Sequence, residues 1–386
     1  MKKKRILVIK LSSADELTSS NMRTLALIKG LLEIGFEVYW LTIPGINTTV
    51  KSDATDYSFY NDIKIITTNE NKTYSAIREK ERKGKNRLVS ILRRVYHRLT
   101  IFDFTYSIAK RFDIRKLPES QFDYLITVSD PKTSHLLGRR LLRQGLRVYR
   151  WIQYWGDPLR GDITRKTVYP DALLSKVEDQ LLKKADKIVY TSPFTLNEEK
   201  KCHEKYSKKM VMLPTPYIRE RYFEKHKRSK IVLGYFGAYY SNVRNIMPLY
   251  DAISKLKNVE LIIVGDSDIQ LKETNNIKVY GRRGIEEFEA QIDAYVCILN
   301  SSGTQIPGKI YHNSGTNLPI IVLLDGDEIE ETRFFLEGFG RFIVFKNNEE
   351  EILKAIEEVE NDSKIWLPCK QMQARSVATA FISEIG

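Results

Sequence analysis

The segment Ser301-Ser302-Gly303-Thr304-Gln305-Ile306-Pro307-Gly308-Lys309-Ile310-Tyr311-His312 follows an apolar run at 294–299. A polar, glycine-containing loop there leads from a buried strand into a helix with a lysine in its first turn. Free backbone N–H groups at such a helix start attract phosphate. A lysine adds a full charge that can follow a phosphate oxygen. A solvated lysine in an ordinary strand–loop–helix turn has the same sequence, so the segment needs support from elsewhere.

That support comes from Gly234-Tyr235-Phe236-Gly237-Ala238-Tyr239-Tyr240-Ser241-Asn242-Val243-Arg244-Asn245. Gly237 ends a strand-like run and permits close backbone approach. Arg244 stands near the next helix start, where its charge is unfavourable unless an anion is bound. Its guanidinium suits forked contact with phosphate oxygens. Val264-Gly265-Asp266 and Tyr280-Gly281-Arg282 are further strand-end turns of the same kind. In the first half, Trp155-Gly156-Asp157-Pro158 follows a strand, and Asp157 is a candidate to orient a hydroxyl, although a turn aspartate before proline has the same appearance. Ser12, Ser13, Ser19, Ser20, Asn21 and Arg23 crowd the first loop and helix start, offering hydroxyls and N–H groups to an acceptor or phosphate.

Regular alternation of elements must position these groups. Apolar runs at 5–11, 36–43, 63–67, 122–128, 147–153, 187–191 and 211–213 read as strands, and the first helical pattern, at about 20–34, ends before Gly35. After Pro214-Thr215-Pro216 and a charged stretch at 219–230, strands recur at 231–236, 259–264, 277–280, 294–299 and 320–324, with helices between them. β-α-β grammar of this kind builds parallel sheets with right-handed crossovers. The expected fold is α/β, with two Rossmann-like doubly wound domains facing a cleft. The domains are expected at 1–216 and 231–367, with a linker at 217–230. The helix at about 368–386 is a candidate to pack back on the first domain.

With 386 residues, the chain exceeds what one hydrophobic core usually spans. Cys202, Cys297 and Cys369 are far apart and odd in number, which disfavours a disulfide framework or a zinc site. No apolar run approaches the length of a membrane span, and the basic start leads into a short strand rather than a signal peptide. A cytoplasmic location follows as an expectation. The formal net charge of +13 calls for an anionic partner. Between Arg78 and Arg98, nine Lys/Arg face two Glu, with Leu88, Ile91, Leu92, Val95 and Leu99 at helical spacing. A basic amphipathic helix over 78–99 fits an anionic membrane surface, and equally a solvated helix packed on its own domain. No nucleic-acid motif is present, and no G-x-G-x-x-G follows the first strand, which disfavours a dehydrogenase.

Taken in order, these segments resemble family-4-like, GT-B-fold retaining glycosyltransferases. Pro307-Gly308-Lys309-Ile310-Tyr311 and Pro319-Ile320-Ile321 are similar to the family's P-S-K-hydrophobic-aromatic-E…G-K-P-I segment. Gly234 to Asn245 resembles the stretch that opens its C-terminal domain. Glu178 to Ser192 resembles its E-x6-A-D-x-I-V-x-x-S marker. Three positions depart: His312 stands where an acid usually holds the ribose, Thr304 stands at the earlier acid of the E-x7-E pair, and Asn317 replaces a glycine.

The resemblance implies a nucleotide-diphosphate sugar as donor, no cofactor and no metal, with transfer to a glycan or lipid-linked glycan in surface polysaccharide synthesis. It implies Arg244 and Lys309 on the leaving diphosphate and Asp157 near the acceptor. Gly237, Gly265, Arg282, Thr304, Gly308, Tyr311 and His312 would line the donor. It further implies retention at the anomeric carbon. A nucleotide-sugar epimerase on the same fold and a non-catalytic binding protein are the alternatives.

Overall fold

The computed structural model describes residues 3–14, 18–45, 55–68, 87–163, 165–224, 228–326, 329–361 and 363–384. The chain divides into two compact units, Met1–Pro214 with Ala374–Gly386, and Thr215–Gln373.

The first unit is built on a seven-stranded parallel sheet of β1 (Arg5–Ser13), β2 (Glu37–Ile43), β3 (Lys64–Thr67), β4 (Gln121–Val128), β5 (Arg147–Trp155), β6 (Lys187–Tyr190) and β7 (Met210–Met212). Their spatial order is β3-β2-β1-β4-β5-β6-β7. The central strands are buried on both faces, as near-continuous apolar runs require. The first helix, Ser19–Glu33, is capped by Thr18, whose hydroxyl accepts from the Asn21 N–H at 3.2 Å. The last helix, Ala374–Ser383, belongs to this unit. It crosses the first helix at Gly30, where a Cβ would lie 2.0 Å from the Ala374 carbonyl oxygen. Only glycine permits that approach.

The second unit carries β8 (Ile231–Phe236), β9 (Val259–Val264), β10 (Ile277–Tyr280), β11 (Ala294–Ile298), β12 (Ile320–Leu324) and β13 (Ile343–Lys346). They form a parallel sheet in the order β10-β9-β8-β11-β12-β13. Two apolar cores lie on its two faces, one including Phe236, Tyr295 and Tyr311, the other Leu233, Ile263 and Ile298. The segment read from sequence as the start of a linker is integral here. Tyr217 is buried and its N–H donates to the Met372 carbonyl at 3.0 Å, while the Arg221 N–H donates to Gly315 at 2.8 Å.

Both sheets change direction of winding at one place, between β1 and β4 in the first unit and between β8 and β11 in the second. Loops leaving the carboxyl ends of strands on either side of such a switch point diverge, and open a ligand site between them.

Candidate active site

In the second unit, the loops at the switch point are joined backbone to backbone. The Gly237 N–H donates to Val264 at 2.9 Å, Tyr239 to Asp266 at 3.0 Å, Gly265 to Tyr280 at 3.0 Å, and Ser301 to Val243 at 2.8 Å. The turns after β8, β9, β10 and β11 therefore form one platform. Gly265 is required by its packing, because a Cβ there would stand 1.9 Å from the Gly237 carbonyl oxygen.

Lys309 reaches this platform from the helix Gly308–Asn313, and Arg244 and Arg282 approach from the loops after β8 and β10. A Cβ on Gly237 would meet the Lys309 Nζ at 2.9 Å. Arg244 is fixed by donation from Nη1 to the Ala238 carbonyl at 3.1 Å. Arg282 is exposed, with Asp266 at 3.8 Å. Burial, and the nearby charges of Arg244 and Arg282, push the Lys309 ammonium down to about 8. The Lys309 side chain is exposed to solvent, yet protein atoms and cations crowd around it. Among the described residues no carboxylate pairs with Lys309 or Arg244, and Glu289, the nearest acid to act on Lys309, is engaged by Arg221. A loose cluster of positive groups held by a rigid backbone platform is suited to a polyanion.

The helix bearing Lys309 spans only Gly308–Asn313, so its dipole contributes little and the side-chain charges dominate. Thr304 and His312 lie on and beyond the same loop, both half-buried. Tyr311 differs from the rest: it is 1% exposed and its ring belongs to the apolar core, where it anchors the helix.

The first unit has a polar cluster at its own switch point. Lys10, fully buried in the second half of β1, donates to Ser20 Oγ at 2.5 Å and to the Asp130 carbonyl at 2.6 Å. Arg23 donates to the Ser129 carbonyl at 2.5 Å and lies over the Tyr154 ring. It occupies the space beside Gly156, where a Cβ would be 2.3 Å from its Nη1. Lys132 bridges Asp130 and Asp162, each at 2.8 Å. Against its burial, Lys132 and Lys10 hold the Asp130 carboxyl below the usual range. Asp157 stands apart from these pairs: burial, then Asp130 and Asp162, push it up to about 7. A carboxyl poised there exchanges a proton near neutrality.

Sequence reading found Asp157 and Arg23 but not Lys10, Asp130, Lys132 or Asp162. The signal for Lys10 is a cation that interrupts an otherwise apolar strand in its second half.

The helix Arg87–Leu99 carries the described part of the basic amphipathic segment expected over 78–99; residues 78–86 and the side chains of Arg87 and Arg93 lie outside the described residues. Ile91 (47%), Val95 (47%) and Leu99 (60%) are exposed along one side of it, with Arg94 and Arg98 also exposed. Val168 and Tyr169 extend this apolar strip, since the Val168 N–H donates to the Arg98 carbonyl at 3.0 Å and the Tyr169 hydroxyl to that of Leu99 at 3.3 Å. No helix among the described residues is long and apolar enough to cross a membrane.

Comparison with known proteins agrees with this geometry. Residues 230–362 match the family model described as glycosyl transferases group 1, which spans the platform, Arg244, Arg282 and Lys309. Among curated proteins, none matches the chain by sequence. The chain is similar in structure to Anabaena Alr3699/HepE in complex with UDP and glucose (TM-score 0.55, 12% identity, 99% of this chain and 95% of that one). It is also similar to a sucrose-phosphate synthase from Thermosynechococcus elongatus (0.54, 13%, 99% and 94%). A putative UDP-N-acetylglucosamine 2-epimerase from Listeria monocytogenes is comparable (0.52, 12%, 100% and 96%). At such identities the likeness establishes the fold alone, and the family match distinguishes the class. The second unit is a glycosyl transferases group 1 domain, and the chain is a glycosyltransferase with the two Rossmann-like units of the GT-B fold.

Proposed function

We propose that the protein moves a sugar from a nucleotide-diphosphate donor to a glycan or lipid-linked glycan acceptor during synthesis of a cell-surface polysaccharide, with retention at the anomeric carbon. The observation that carries the donor is the convergence of Lys309, Arg244 and Arg282 on the backbone platform of Gly237 and Gly265, with no carboxylate opposite Lys309 among the described residues. Structural neighbours bear names that include UDP, glucose and UDP-glucose, in keeping with this reading.

Cleavage of the sugar–phosphate bond builds negative charge on the leaving diphosphate. Lys309 and Arg244 stabilise that charge, and their cationic side chains serve in place of a divalent ion at the donor. The donor's own phosphate assists in deprotonating the acceptor. Asp157, open to proton exchange near neutrality, orients the acceptor hydroxyl. Thr304, Gly308 and His312 contribute the rest of the donor contacts. The exposed strip of Ile91, Val95 and Leu99 beside Arg94 and Arg98 supports a peripheral position on the anionic inner face of the plasma membrane.

A panel of nucleotide sugars, scored by thermal stabilisation and by slow hydrolysis without acceptor, tests the proposal. Stabilisation by a nucleoside diphosphate and by one sugar of that nucleotide is expected. No shift with any of them would end the donor assignment, and conversion of the sugar without acceptor or hydrolysis would favour the epimerase.

A further inference from the structure

A second constellation lies in the first unit, made of residues that the sugar-transfer reading does not use. Glu178, in the helix Asp171–Leu182, meets Glu199 and His203 at the end of the helix Pro193–Cys202. All three side chains are fully buried. The His203 Nε2 is 3.5 Å from a Glu178 oxygen and 3.6 Å from a Glu199 oxygen, and the three potential ligand atoms lie within 4.8 Å of one another.

Two features point to something held between them. The first is that buried polar atoms at the cluster lack a hydrogen bond of normal geometry: the His203 Nε2 has only the two long carboxylate approaches, and the Glu199 Oε1 accepts none. A buried polar atom left so is costly, and calls for a partner. The second is the way His203 is oriented. Its Nδ1 donates to Asp179 at 2.8 Å, and Asp179 is in turn bound by Lys205. Imidazoles that ligate metals are held in this manner, with a carboxylate on the far nitrogen fixing the tautomer. Ligands about 2.0–2.2 Å from a tetrahedral zinc stand about 3.4 Å from each other, close to the separations around Nε2.

We propose that Glu178, Glu199 and His203 hold a divalent zinc-class cation through one nitrogen and two carboxylates, leaving its remaining coordination to water. This departs from the expectation of a metal-free chain, but not at the donor site. Glu178 explains what the cation would do. Its carboxylate accepts the Leu159 N–H at 2.6 Å and the Arg160 N–H at 3.2 Å, so it fixes the turn that follows Asp157 and Pro158. A cation on Glu178 ties that turn to two helices and makes the position of Asp157 depend on a metal more than 20 residues further along the chain. Glu199 and His203, four residues apart on one helix face, give the sequence signature E-x-x-x-H.

The test uses the full chain, stripped with chelator and reloaded with Zn2+ alone. Stoichiometric zinc after dialysis and a rise of about 5 °C or more in melting temperature are expected for a site loaded at 100 times its dissociation constant. Co2+ in place of zinc should give the visible ligand-field bands of a low-coordinate site. The isosteric Glu199→Gln and the His203→Gln variants should lose both the bands and the thermal shift. Absence of retained zinc and of Co2+ bands in the unaltered chain would overturn the proposal, leaving an imidazolium paired with buried carboxylates. A thermal shift undiminished in Glu199→Gln would do the same, and the Co2+ measurement stands even if His203→Gln fails to fold.

Discussion

A Cβ placed on Gly237 would lie 2.9 Å from the Nζ of Lys309, so the missing side chain at one residue sets where the ammonium of the other can stand. The neighbouring Gly265 is different in kind, because its Cβ would meet the Gly237 carbonyl oxygen, a backbone atom that cannot swing away. Gly237→Ala should therefore leave the melting temperature nearly unchanged and weaken donor binding by about tenfold, as the flexible lysine moves aside. Gly265→Ala should lower the melting temperature itself. Calorimetric titration with the donor nucleotide, beside a melting curve, separates the two effects. Equal loss of stability in both variants would contradict this account.

Lys309 gives donor binding a pH dependence of known sign. Burial and neighbouring cations push its ammonium down to about 8, so in the free protein it loses its proton as pH rises through that value. A bound diphosphate favours the protonated form, and affinity should fall as pH climbs above about 8. Lys309→Ala should weaken nucleoside diphosphate binding by about 10- to 100-fold, the range for a charge-assisted hydrogen bond, and flatten this alkaline limb. Binding measured between pH 7 and pH 9.5 decides it. An unchanged affinity in Lys309→Ala would remove the residue from the site.

Asp157 supplies the opposite limb. Its carboxyl is pushed up to about 7 in the folded chain, against about 4 when unfolded. The folded state thus keeps a proton that the unfolded state releases, and this contribution to stability is lost as pH rises from about 4 through about 7. Asp157→Asn removes the loss, so the variant should melt several degrees higher than the unaltered chain at pH 8, but not at pH 4. Transfer activity should meanwhile fall on the order of 100-fold, because the acceptor hydroxyl loses its anionic partner. The rise in kcat/KM through about pH 7 should vanish with it. A higher melting temperature with full activity would make Asp157 a merely buried acid.

The contrast between these two residues also explains what could be read without coordinates. Lys309, Arg244 and their glycines sit within short segments after strands, where local order alone suggests a phosphate site. Loop-to-loop bonds such as Ser301 to Val243 then bring together what the sequence keeps 58 residues apart. The environment of Asp157 had no such local mark: Asp130 and Lys132 share the loop after β4, Asp162 follows β5, and Lys10 lies inside an apolar strand. Tyr311 shows the reverse limit, since an aromatic next to the candidate lysine reads as a ligand contact from sequence, whereas its ring is buried in the core. Of the second unit, β13 and the helix Ile329–Glu337 escaped notice; the exposed Phe334 blurs the apolar stripe of that helix.

The helix Arg87–Leu99 yields the last prediction. Ile91, Val95 and Leu99 recur at intervals of four and remain exposed, while Arg94 and Arg98 are exposed on the same helix. Exposed apolar residues in line would be costly in water alone, and basic charges beside them favour an anionic lipid surface. Each arginine near such a surface contributes about 1 kcal/mol, so Arg94→Gln with Arg98→Gln should weaken binding to phosphatidylserine-containing vesicles about 30-fold. Ile91→Ser with Val95→Ser should reduce binding to the same vesicles and leave its salt dependence intact, because insertion and charge are separate contributions. Vesicle sedimentation at low and high salt reads both. If the unaltered chain fails to sediment with anionic vesicles at low salt, the strip has another occupant and the peripheral position is wrong.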